Sequence, residues 1–138
     1  MTIEKLGITV SHPAFADLRT HQYKVVVLKT DGTVGLPLTA VTAIPYGILQ
    51  NAPNIGEEAV VAPIGCGGIS KAWAATSLAR GTLVALQWVD DVGDSGKVIA
   101  AATTQFPLGM CVYPADAEDD LCSVLLTPIH KALTEDLP

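Results

Sequence analysis

The chain is poor in positive charge. Lys and Arg total 8 among 138 residues, against 14 Asp and Glu, for a net charge of −6. Binding to a phosphate backbone needs a basic stripe. The eight cations are scattered, so no nucleic-acid partner is expected. No apolar run approaches the roughly 18 residues that would span a bilayer, and no membrane association is expected. The opening MTIEKLGITV lacks a basic flank followed by a long apolar core, so it does not read as an export signal. Cysteine is sparse: Cys66, Cys111 and Cys122. An odd count makes a poor disulfide framework. Cys111 and Cys122 are spaced to meet across a hairpin, but buried free thiols in a reducing cytosol are the favoured reading.

Aromatic residues make up only 5% of the chain, while hydrophobic residues overall make up 49%. The apolar mass is therefore Ala, Val, Leu and Ile, punctuated by 12 Gly and 9 Pro. Small β-branched residues with frequent turn formers favour short strands over long helices. The length suits one domain.

Residues 1–21 differ from the rest. Leu6-Gly7-Ile8-Thr9-Val10 alternates briefly, then SHPAF breaks it. This reads as an extended N-terminal arm with some strand character, and Ser11 is placed to cap a helical turn over Pro13–Leu18. Residues 22–138 read as a single β-rich domain. SKAWAATSLARG reads as a short strand near Lys71–Ala74, then a helical turn near Ser77–Arg80 ending at Gly81. Thr127-Pro128 is a cap-and-first-residue pair that starts a short C-terminal helix, Pro128–Leu133.

One phrase occurs twice. IPYGILQ begins at Ile44, and FPLGMCV begins at Phe106. Each follows a strand, a tight turn ending in Gly (Asp31-Gly32, Ser95-Gly96) and a second strand. Each precedes a polar turn and a further strand. The segments Gln22–Ile64 and Gly81–Thr127 are therefore expected to be two similar β-meanders, closed over one core as a small β-barrel or sandwich. Pro suits the start of such a strand, and the Gly after it suits a bulge or a close backbone approach.

The sequence offers little chemistry. His12, His21 and His130 have no metal-ligand spacing with one another or with Cys. GCGG at Gly65–Gly68 lacks the Gly-Lys-Ser/Thr of a phosphate-binding loop and reads as a turn. Cys66 has no His near it in sequence to activate it. The acidic runs Asp116–Asp120 and VDDVGDSG lack the spacing of a calcium loop and read as solvated turn tips. Trp73 and Trp88 read as core or interface anchors. No enzymatic activity, cofactor or metal is expected.

Gly47–Leu86, GILQNAPNIGEEAVVAPIGCGGISKAWAATSLARGTLVAL, resembles the head-decoration, or capsid cement, proteins of tailed bacteriophages. The shared pattern is a Gly-apolar strand, Gly47-Ile48-Leu49, then a polar turn with Gly, Asn54-Ile55-Gly56. The Val60-Val61 strand and the Gly-led strand after Leu78-Ala79-Arg80 complete it. The resemblance spans about Gln22–Thr127 and implies a non-enzymatic β-rich protein on the outer surface of the virion head. There it would bind the major capsid protein after expansion, and self-associate as a homotrimer or, as in some relatives, a dimer.

An acidic protein fits that outer face. The arm would add a strand to a capsid-protein sheet edge, with Ile3, Leu6, Ile8, Val10 and Phe15 as the attachment residues. It would order on binding, and deleting Met1–Ser11 would leave the fold intact. Two other classes compete. One is an oligomeric β-barrel that binds a small ligand or serves another virion part such as the tail. The other is an enzyme using Cys66 or an acidic pair.

Overall fold

The computed structural model describes residues 2, 4–37, 44–87, 95–102, 105 and 107–127. It is mainly β. Ten strands run as β1 (Val10–Pro13), β2 (Val25–Leu28), β3 (Val34–Gly35), β4 (Gly47–Leu49), β5 (Glu58–Pro63), β6 (Ile69–Trp73), β7 (Leu83–Leu86), β8 (Val98–Ala100), β9 (Pro107–Tyr113) and β10 (Leu121–Leu126). They form two antiparallel five-stranded sheets, ordered β1-β5-β4-β2-β3 and β6-β10-β9-β7-β8.

The second order is the first with every index raised by five. Registers agree as well. Val26 lies opposite Gly47 as Val84 lies opposite Gly109, and Leu28 opposite Val34 as Leu86 opposite Val98. Leu49 lies opposite Val61 as Cys111 lies opposite Val124. Single parallel bridges, Ala14–Val34 and Ala74–Val98, join the end of each first strand to the far hairpin. These bridges curl the sheet toward a half-barrel. The repeat is thus one strand longer per half than the meanders expected from sequence.

The doubled Pro-x-Gly phrase has a steric cause. At Gly47 a Cβ would collide with the Ala62 carbonyl oxygen and lie 2.7 Å from Val61 Cγ1. At Gly109 a Cβ would collide with the Leu125 carbonyl oxygen and lie 2.9 Å from Val124 Cγ1. Val61 and Val124 occupy the same place in their halves, as do Ala62 and Leu125. A strand backbone therefore presses on the same glycine twice. The two tight turns also match, with Gly32 at φ 86° and Gly96 at φ 97°, the left-handed region that glycine enters freely. The polar turns match too. The Asn54 N–H donates to Glu57 Oε1 (2.7 Å), and the Ala117 N–H donates to Asp120 Oδ2 (3.1 Å).

Two cores follow from strand alternation. In the first sheet Val26, Leu49, Ala59 and Val61 face a small core completed by Ala14, Leu18, Val34 and Leu36. Val25, Ile48 and Ala62 face the opposite way, into a larger core shared with the second half, where Ala72, Val84, Leu86, Leu108, Cys122 and Val124 meet them.

Three sequence expectations change. The arm does not stand apart, because Val10–Pro13 is an edge strand paired along β5. Lys5 pairs with Ile69 through two backbone hydrogen bonds of 2.8 and 2.6 Å, so the segment touches both sheets. No helix occurs among the described residues. At Pro13–Leu18 the donors are taken by distant strands: the Ala14 N–H by Glu57 O and the Phe15 N–H by Val34 O. At Ser77–Arg80, Leu78 exchanges hydrogen bonds with Ala115. Long-range pairing outweighs a short segment's marginal helix propensity. The C-terminal helix, Pro128–Leu133, lies outside the described residues.

Candidate functional site

The expected attachment residues separate into two groups. Leu6 packs against the larger core and Val10 against the smaller one, opposite Val61. Both have structural work inside the protein. Ile8 is 67% exposed and Phe15 is 44% exposed, so both offer apolar surface to a partner. Ile3 lies outside the described residues. Phe15 is held rather than loose: its N–H donates to Val34 O (2.8 Å), and Lys29 Nζ sits 4.4 Å from its ring centroid. A cation over an exposed ring contributes about 0.5–1 kcal/mol.

Other exposed large apolar side chains were not singled out from sequence: Leu28, Ile44 and Ile55. Ile55 carried a signal, an isoleucine at the tip of the polar turn Asn54-Ile55-Gly56, where solvation alone would favour a polar residue. Leu28 carried none, because a strand leucine reads as core.

Beside β1 an open groove of about 250 Å³ is lined by Ser11, His12, Pro13, Gly56 and Glu58. His12 Nδ1 lies 3.1 Å from the Gly32 carbonyl oxygen. A carbonyl only accepts, so Nδ1 donates to it, and Nε2 pairs with the Tyr46 hydroxyl at 2.8 Å. His12 therefore ties β1 to the first hairpin and to the segment before β4. Among the described residues no three His, Cys, Asp or Glu side chains group as a metal site.

A smaller cavity of about 40 Å³ lies among Phe15, Leu18, His21 and Leu36. His21 Nδ1 is buried there without a hydrogen-bond partner. Burial, and then the Lys24 charge, hold the His21 pKa below its ordinary value despite Asp17. Asp17 itself is held down to about 2, chiefly by its hydrogen bonds from Arg19.

The thiols are poor nucleophiles where they are buried. Desolvation raises the Cys111 pKa and pushes Cys122 up to about 12. Cys111 Sγ donates to Tyr113 O and Cys122 Sγ to Ala72 O, and both thiols are free. The acidic turn is more than a solvated tip. Asp119 reaches Lys97 Nζ at 2.6 Å, with Glu118 at 4.0 Å, and Lys97 is buried. The run VDDVGDSG, up to Asp94, and Trp88 lie outside the described residues. Trp73 donates its indole N–H to Gln22 O (2.8 Å), which joins the two halves.

The sequence matches no protein-family model and no curated protein.

Proposed function

We propose that this protein is a capsid decoration (cement) protein. It binds the outer surface of an expanded bacteriophage head and stabilises contacts between major capsid subunits. The observation that carries the reading is the exposure of Ile8 and Phe15 on segments anchored at both sides. Ile8 lies between Leu6 and Val10, each packed on a core, and Phe15 follows the edge strand β1. Anchored apolar side chains lose little conformational freedom on docking, which favours binding. The net charge of −6 suits an outward-facing protein. In this reading the pair of five-stranded sheets is the compact body, the major capsid protein is the partner, and copies associate as a homotrimer. Several weak attachments per assembly then add up to a strong one.

The test is cosedimentation with expanded heads lacking the protein. Deleting Met1–Ser11 would remove half of β1 and the Lys5–Ile69 pair, so point substitutions are the cleaner probe. Ile8→Asp and Phe15→Asp should fold normally and lose head binding. Saturable binding at a fixed ratio to the capsid subunit, lost in both variants, supports the reading. A folded protein that ignores heads sinks it, and undiminished binding by both variants removes these residues from attachment.

A further inference from the structure

The two halves have the same strand order but bury their shared surfaces unequally. In the first half, Val25, Ile48 and Ala62 lie side by side on three adjacent strands and are fully buried against the second half. Their counterparts in the second half are Leu83, Met110 and Leu125, also direct cross-strand neighbours. These three are only half-buried, although Leu83 and Leu125 are larger than their counterparts Val25 and Ala62.

The surface that receives the buried row is lopsided in the opposite sense. In the second half, Leu86 is 7% exposed and Ala72 and Leu108 are fully buried in the shared core. Gly96 is buried, and its carbonyl oxygen accepts from the Val25 N–H at 2.7 Å. Ser70 is buried and accepts from Gln50 Nε2 at 2.8 Å. The register equivalents in the first half are Leu28, His12, Tyr46, Gly32 and Val10. Leu28 is 46% exposed and Gly32 is exposed; His12, Tyr46 and Val10 are half-buried. The internal joint thus uses the row of one half and the mouth of the other. Among the described residues the opposite row and the opposite mouth are left over.

The geometry points to a head-to-tail association of copies. The Leu83–Met110–Leu125 row of one copy docks on the Leu28–Tyr46–Val10 mouth of the next, repeating the joint inside each chain. The occupant is a second copy because the same chain already carries a matched pair of these surfaces in contact. Such a contact is heterologous, and it uses up every row and mouth only when it closes into a ring. The inference deepens the self-association in the proposed function and rests on that part alone; capsid attachment through Ile8 and Phe15 does not enter it.

The test is the mass of the purified protein by analytical ultracentrifugation, without heads, across a dilution series. The wild type should be a ring-sized multiple of the chain. Met110→Lys damages the row and Leu28→Lys damages the mouth, and both side chains are solvent-accessible enough for the fold to tolerate the change. Each variant, shown folded by circular dichroism, should be monomeric alone. Mixed in equal amounts they should form dimers and nothing larger, since one intact row meets one intact mouth and the remaining pair is damaged on both sides. A two-fold interface that set row against mouth would show the same rescue, so the mass of the wild type separates the two: a dimer there, a larger closed ring here. A monomeric wild type, folded variants that still assemble, or a mixture that stays monomeric each overturns the inference. A failure of head binding leaves it untouched.

Discussion

Gly109→Ala, at the one glycine within the described strands of the second sheet, should be strongly destabilising. Its Cβ would occupy the space of the Leu125 carbonyl oxygen, 3.0 Å from the Leu125 carbonyl carbon and 2.9 Å from Val124 Cγ1. None of these atoms is the far end of a flexible side chain. The methyl therefore separates β9 from β10, which are paired from Ser123 to Leu126. Overpacking of this kind costs about 1–3 kcal/mol. Weakened ladder bonds at about 0.5–1.5 kcal/mol each bring the sum to roughly 2–5 kcal/mol. Against a total stability of about 5–15 kcal/mol this is a large share, and it should lower the melting temperature by roughly 10 °C or more. The control is Gly56→Ala. It has φ 78° but nothing within 4 Å of the added Cβ, so it carries only the left-handed backbone cost of about 1–2 kcal/mol. Thermal and urea melts of both variants decide the matter. If Gly109→Ala melts within error of Gly56→Ala, the steric account of the repeated phrase is wrong.

Gly47→Ala should behave like Gly109→Ala, since Val61 Cγ1 lies 2.7 Å from its added Cβ; parallel melts check this. Stability should fall on acidification below pH 6.5. The folded pKa of His21 lies below its unfolded value, so the unfolded chain binds the proton more readily and the contribution present above that value is lost as pH falls. His21→Phe should flatten the urea midpoint between pH 7 and 5. Asp17 should add a second decline between about pH 4 and 2, removed in Asp17→Asn. Asp119→Asn keeps a residue that tolerates φ 65° but weakens the 2.6 Å contact to buried Lys97; a cost of about 1–3 kcal/mol by urea titration is expected. In native protein a thiol reagent should leave Cys111 and Cys122 unmodified until denaturant is added, as read by mass spectrometry.

Several features were legible in the residues because they are local. Asp31-Gly32 and Ser95-Gly96 are turns because only glycine enters the left-handed region freely. Pro107 begins β9, where its missing donor is harmless. The candidate attachment residues were legible as apolar, but the sequence does not separate Ile8 from Leu6 and Val10. Alternation assigns faces and is silent on what covers each face.

Composition, turn signals and the doubled Pro-x-Gly phrase by themselves determined a strand-rich chain with two similar halves, because strand preference and tight-turn geometry depend on neighbours in sequence. Tertiary structure alone decided that residues 10–13 complete the first sheet, since an edge strand is chosen by a partner about fifty residues away in β5. It also decided that Val25, Ile48 and Ala62 are sealed while Leu83, Met110 and Leu125 stay half-open. The physical reason is that two copies of one pattern in a single chain share one joint. One row and one mouth are consumed in it, and the same hydrophobic rhythm is left at the surface on the other side.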